Sequence, residues 1–238
     1  MTDAAAETPE FPYESYMVVV AHPDDLEFSC GGTIAKLGQQ GKRIVLVQVT
    51  SGNRGTSDRN VRPEEIAARR EQETSEAARR LGIAQVVFLR YPDGEVPADI
   101  SLRGDIVRII RTYQPDVVIT HDGFRPYALH PDHRNVGMAT TDAVYPCARD
   151  PWAYPEQLDE GLETWKVAEI WFTGPDHPDK FVDITPSFDG KIDALKAHVS
   201  QVGEGETLAE RMGERAREVA EGQPFEMAEA FKVVQLRR

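Results

Sequence analysis

Two cysteines among 238 residues, Cys30 and Cys147, are too few for a disulfide framework or a thiolate metal cluster. Long apolar runs are also missing, since no stretch approaches the ~18 consecutive apolar residues of a membrane-spanning helix. The opening "MTDAAAETPEFP" has neither a basic region nor an apolar one and does not read as a secretory signal. We therefore expect residues 1–12 to form a flexible acidic lead and 13–238 to form one folded domain, in a cytoplasmic protein. Positive charge is scarce too. Lys and Arg number 27 against 40 Asp and Glu, a formal charge of −13, which repels polyanions and argues against nucleic acid or membrane as a partner. No GxGxxG or GxxxxGK[ST] follows a strand, so the "CGGT" at 30–33 is a weak signal for a bound nucleotide.

What is present suits a sizeable core, with 40% hydrophobic and 28% charged residues. Apolar β-rich runs at 16–22, 43–50, 84–89, 116–120 and 166–172 predict strands. Helical patterns cover 31–40, 62–81, 99–113 and 131–144 between them. Continuous apolar runs, rather than alternating ones, indicate strands buried on both faces. Strand–helix alternation then predicts an α/β fold, a mainly parallel sheet flanked by helices on both faces. Segments 146–156 and 174–179 read as loops, 187–200 and 205–221 as helices, and 230–236 as a last strand. In the 62–81 helix the apolar stripe through Ile66, Ala77 and Leu81 also runs through Arg70 and Glu73. Charges there are costly unless paired, either structurally or at the rim of a site.

Two polar clusters follow strands and so fall on one rim, where open α/β sheets bind their ligands. "HPDDLE" (22–27) follows the first strand, and "HDGFRPYALHPDHR" (121–134) follows the fourth. Each alone fits a turn or a helix cap, with His130 or Asp132 satisfying first-turn amides. Together they supply the donors of a hydrolytic metal site, which needs three protein ligands and an open position. His22 and Asp25 can turn toward one point, and His130 and His133 lie on one helical face if the turn at 131 is helical from its start. Asp24, beside Asp25 but free of the metal, is the natural base, and a protonated His130 suits the oxyanion or the leaving amine. His121 reads as the end of the fourth strand, His177 as a loop residue, His198 as a helix-surface residue, and Cys30 as a small buried residue near a helix start.

"AHPDDLEFSCGGTIAKL" with the later "HPDHRNVG" resembles the PIG-L/LmbE-like family of metal-dependent N-deacetylases. "VTSGNRGT", "RREQETSEAARRLGI", "FLRYPDGEV", "KIDALKAHVSQ" and "EAFKVV" extend the resemblance over roughly 16–235. It implies a Rossmann-like fold, a zinc held by His22, Asp25 and His133, Asp24 as general base and His130 as its imidazolium partner. It further implies that Arg54 contacts substrate, that Asp93 shapes the pocket, and that Arg70 and Glu73 stand at the rim. Asp132 and Glu27 are left as supporting carboxylates, Glu27 alternatively as a solvated one. Iron(II) or manganese would suit the same donors. The implied substrate is a small amino-sugar conjugate of the N-acetylglucosamine type, and homo-oligomers are common in the family.

Two departures from the family are visible. Where some branches carry a tyrosine two residues before the first histidine of HPDH, this chain has Ala128, with Tyr127 adjacent. The membrane span of the eukaryotic branch is absent, which disfavours a lipid-linked substrate. Alternative readings are an amidase acting on a thiol-conjugate or acyl-glycopeptide amide, a sugar- or metal-binding protein without catalysis, and a nucleotide-binding Rossmann protein.

Overall fold

Apolar runs become central strands here because helices cover both of their faces. In the computed structural model, which describes residues 10–203 and 207–237, β1 (Ser15–Val20) and β4 (Val117–His121) are buried at every position. Between them come α1 (Asp25–Gln39), β2 (Arg43–Thr50), α2 (Pro63–Arg80), β3 (Gln85–Tyr91) and α3 (Ile100–Tyr113). After β4 follow α4 (Pro131–Val144), the short α5 (Pro155–Asp159), β5 (Glu169–Thr173) and β6 (Lys180–Asp183). The described chain closes with α6 (Phe188–Leu195), the one-turn α7 (Val199–Val202), α8 (Leu208–Val219) and β7 (Ala228–Gln235). No helix among the described residues is long and apolar enough to cross a membrane.

The strands form one sheet in the order β3-β2-β1-β4-β5-β7-β6. Pairing is parallel from β3 to β5 and antiparallel where β7 joins β5 and β6. The parallel part is the Rossmann-like order that the sequence predicts. From β1 the chain moves outward to β2 and β3, then returns to the other side as β4. The loops after β1 and β4 therefore diverge, opening a crevice above their carboxyl ends. On one face Val18, Val20 and Ile119 pack against Leu26, Ile34 and Leu37 of α1. On the other, Met17, Val19 and Val118 meet Ile106 and Ile110 of α3 and Val136 of α4. Successive β1 residues alternate between these two cores, as the pleat requires.

Several local features differ from the sequence reading. β6 was not anticipated, because four residues on a sheet edge carry too short a signal to separate from a loop. The helix expected over 187–200 is two helices, α6 and α7, with His198 in the turn between them. Of the lead expected at 1–12, residues 1–9 lie outside the described residues, while Phe11 packs against Tyr16 and Trp171. Residues 205 and 206 of the expected last helix also lie outside them.

α1 starts six residues before the expected 31 and is broken at Cys30, whose φ of −143° is not helical. Gly31 and Gly32 open its second half. A Cβ on Gly32 would lie 2.8 Å from Ile184, so the close approach requires glycine. The break exposes backbone groups that a buried ion pair satisfies. Glu229 accepts from the amides of Gly32 (2.9 Å) and Thr33 (2.8 Å). Lys191 Nζ donates to Glu229 Oε1 (2.6 Å) and to the carbonyl of Phe28 (3.1 Å). Both side chains are buried, so removing one charge strands the other. Glu229→Gln is expected to lower stability by about 3 kcal/mol. Urea unfolding checks this, and an unchanged midpoint would contradict it.

Candidate functional site

The turn after β1 is built around a strained aspartate. Asp24 has φ 83°, a left-handed conformation that Asp tolerates at a cost of about 1 kcal/mol. It lets two adjacent carboxylates take different surroundings. Asp25 is pinned: its Oδ2 accepts the His22 amide at 2.7 Å, and its Oδ1 lies 3.2 Å from His133 Nε2. Asp24 stands outside that contact set, with Arg70 Nη2 3.3 Å from its Oδ2.

The second half of the site comes from the start of α4. Pro131 occupies the first turn, and His130 caps it by accepting the Asp132 amide on Nδ1 at 3.3 Å. That bond places the proton of a neutral His130 ring on Nε2. Asp132 is fully buried and accepts from the amides of Gly94 (2.7 Å) and Val96 (3.2 Å). Its Oδ2 also lies 2.9 Å from His22 Nε2, and Asp93 Oδ1 lies 3.2 Å from the same nitrogen. Carboxylates facing Nε2 hold a proton there and leave His22 Nδ1 facing Asp25 and His133. Asp93 is itself clasped: its Oδ2 accepts the Arg54 amide, while its own amide donates to Asn53 Oδ1.

Donors of three residues therefore converge. His22 Nδ1 is 3.1 Å from His133 Nε2, and the Asp25 carboxylate spans the pair, its Oδ2 3.4 Å from His22 Nδ1 and its Oδ1 3.2 Å from His133 Nε2. Bonds of about 2.0–2.1 Å in a tetrahedron separate neighbouring ligands by about 3.3 Å, so these spacings fit one small divalent cation. Two imidazoles and a carboxylate suit zinc, and equally iron(II) or manganese. His130, His22 and His133 also present ring nitrogens within 4.8 Å of one another, as do Asp25, His121 and His133.

The electrostatics agree with a place for positive charge. Burial opposes charging of His22, yet Asp25, Asp93 and Asp132 outweigh it and push its pKa up to about 10. Burial also works against an ionised Asp25, but His121, His133 and His22 hold it well below the usual carboxylate range. Asp24 moves the other way, up to about 7, through burial and the charge of Asp25, with Arg70 opposing. Burial and the neighbouring His22 and His133 push the His130 pKa down, which favours its neutral ring.

The remaining expected residues divide. Arg70 is at the rim and buried, donating from Nη2 to the carbonyl of Pro23 (2.8 Å) and from Nη1 to that of Gly52 (3.2 Å). A Cβ on Gly52 or Gly55 would collide with its guanidinium, which explains the two glycines of "SGNRG". Arg54 is half-exposed at the mouth and ion-paired with Glu95. Glu73 is not brought to the cluster; it accepts from the amide (2.8 Å) and hydroxyl (2.6 Å) of Ser200. Glu27 is buried rather than solvated, with Oε2 3.2 Å from His198 Nε2. His198 is fully buried, not a helix-surface residue, because the chain turns inward between α6 and α7. His121 ends β4 as expected; its Nε2 accepts the Ala21 amide at 3.0 Å and its ring stacks on His133. Cys30 is buried, His177 lies in an exposed loop, and Tyr127 is exposed. Sequence reasoning left Asn53 and the amides of Gly94 and Val96 unassigned; only the likeness of "FLRYPDGEV" to the family marked that loop.

In the cation-free protein the Asp24 carboxyl is expected to titrate near pH 7 by carboxyl NMR. Arg70→Met removes an opposing positive charge and should move that midpoint further up. A midpoint near the ordinary ~4 would contradict the burial argument.

Comparison with known proteins identifies the chain's relatives. Residues 17–144 match the family described as PIG-L, GlcNAc-PI de-N-acetylase. Diacetylchitobiose deacetylase of Thermococcus kodakarensis is 35% identical over 188 residues, covering 79% of this chain and 70% of that one. The 1D-myo-inositol 2-acetamido-2-deoxy-alpha-D-glucopyranoside deacetylase of Rhodococcus erythropolis is 29% identical, covering 78% and 80%. Among solved structures, N,N'-diacetylchitobiose deacetylase from Pyrococcus horikoshii, complexed with its inhibitor MPG, superposes with a TM-score of 0.87 at 32% identity. That match covers 93% of this chain and 84% of the other. With the two histidine–aspartate motifs meeting above β1 and β4, the chain belongs to the PIG-L family.

Proposed function

We propose that this protein is a metal-dependent N-deacetylase that removes an acetyl group from the 2-amino group of an N-acetylglucosamine-type conjugate. The observation that carries the reading is the triangle of His22, Asp25 and His133 donors with an unligated carboxylate, Asp24, next to it in sequence. The deacetylase relatives named above support the reaction type. His22, Asp25 and His133 would hold the cation, zinc by preference. When bound, such a cation polarises an amide carbonyl and favours loss of a proton from water.

The other steps belong to side chains. Asp24 takes the proton of the attacking water, a task suited to a pKa near 7. Arg70 fixes that carboxylate and the Pro23 carbonyl beside it. As the carbonyl becomes tetrahedral, His130 donates its Nε2–H to the growing oxyanion. Asp24 then returns its proton to the departing amine nitrogen. Asp132 and Asp93 keep the His22 ring from rotating, and Arg54 offers hydrogen bonds to sugar hydroxyls at the mouth.

Asp24→Asn should retain bound metal yet lose about 10²–10⁴ in turnover, measured as amine release from N-acetylglucosamine conjugates. Full activity in that variant would overturn the assignment of the base. His130→Ala should lower kcat by about 10²–10³ with KM little changed. A change confined to KM would instead make His130 a binding residue.

A further inference from the structure

At the start of α1 the chain reads "DDLE" (24–27), and an aspartate followed three residues later by a glutamate spells a capping box. In such a box the first side chain accepts the amide of the fourth residue, and the glutamate reaches back to the first residue's amide. The chain forms bonds of this kind elsewhere. Asp99, extended at φ −130°, accepts the amides of Ser101 and Leu102 at the start of α3. Glu65 accepts the Arg62 amide at 3.4 Å at the start of α2. The start of α1 has the residues without the bonds. Asp24 is left-handed rather than extended, and its side chain makes no capping bond. Glu27 is engaged elsewhere: its Oε2 lies 3.2 Å from His198 Nε2, and its Oε1 is buried with no hydrogen-bond partner among the described residues.

His198 lies in the turn between α6 and α7, and both sides of that turn are anchored. Two residues on, Ser200 donates its amide and hydroxyl to Glu73 of α2, while Lys191 of α6 donates to the Phe28 carbonyl of α1. Glu27 is 1% exposed and His198 fully buried, so neither can turn to water. Burial opposes charging of His198, yet Glu27, Asp24 and Glu73 outweigh it and raise its pKa. Two tendencies compete at Glu27. The strain of the left-handed Asp24 and the two forgone bonds favour closing the box. Parting the buried pair strands a charge, which costs more. Closure would return Asp24 to extended backbone and carry its carboxylate to the Glu27 amide, away from Arg70. We infer that His198 is a positioning residue: it holds Glu27 off the Asp24 amide, keeps the box open, and so leaves the Asp24 carboxylate free for the reaction. This rests on the deacetylase reading for the use of that carboxylate.

Three variants test it, each followed by amine release, metal content and crystal structure. His198→Leu should retain metal and KM yet lose about 10- to 100-fold in kcat. Its structure should show Glu27 at the Asp24 amide and Asp24 at negative φ. His198→Asn keeps a donor for Glu27 and should retain most of the wild-type kcat. The double variant Glu27→Leu/His198→Leu removes the carboxylate that closes the box and strands no charge, so it should recover most of the loss. Where His198→Leu does not fold, Glu27→Gln serves in its place. It has no carboxylate to strand, still spells a capping box, and should lose kcat at unchanged KM. Wild-type kcat in the variant so used, a double variant as slow as His198→Leu, or an Asp24 still left-handed in His198→Leu would overturn the inference. A wild-type chain that releases no amine removes the deacetylase reading, and the Asp24 backbone in His198→Leu still decides the positioning.

Discussion

Negative charge crowded into the crevice between β1 and β4 is the constraint on which the site depends. Asp25, Asp93 and Asp132 all face the His22 imidazole, and Asp93 and Asp132 are buried. Positive charge at the centre of the crevice offsets that crowding. Without a cation, the proton held by His22 supplies it, which is why that imidazole is pushed up to about 10. A divalent ion held by His22, Asp25 and His133 would supply that charge in place of a proton. The features that hold this chemistry in place are aimed at fixing the carboxylates: backbone amides of Gly94 and Val96 on Asp132, the Arg54 amide on Asp93, and the His22 amide on Asp25.

Asp24 escapes that crowding because the left-handed backbone turns it toward Arg70 instead. Its surroundings depend in turn on segments distant in the chain. Arg70 reaches across from α2 to the carbonyls of Pro23 and Gly52. The stretch "KIDALKAHVSQ" braces the same region from the opposite side. Lys191 joins the two halves of α1, His198 packs beneath Glu27, Ser200 binds Glu73, and Gln201 donates to the Gly55 carbonyl at 3.0 Å. Four side chains from one eleven-residue stretch thus fix α1, α2 and the Gly52–Gly55 loop relative to one another.

Much of this was legible in the sequence, and the exceptions have physical causes. β1, β2 and β4 announced themselves as continuous apolar runs, and α4 was located to the residue because Pro131 marks its first turn. The two histidine–aspartate motifs were visible because metal-ligand types rarely cluster at two strand ends. Asp132 was harder, since capping a helix and orienting a histidine across the crevice ask for the same residue type. The burial of His198 was invisible because a one-turn helix has no periodicity to read. Local sequence does not contain Arg70's partners, which lie 18 and 47 residues away.

The central claim is that one divalent cation occupies the point where His22, Asp25 and His133 meet. Elemental analysis of protein purified without added metal tests it most directly, with Asp25→Ala measured alongside. The account predicts close to one equivalent of metal in the wild-type chain and almost none in the variant. A metal-free wild-type protein that still released amine, or equal metal content in the two proteins, would contradict it.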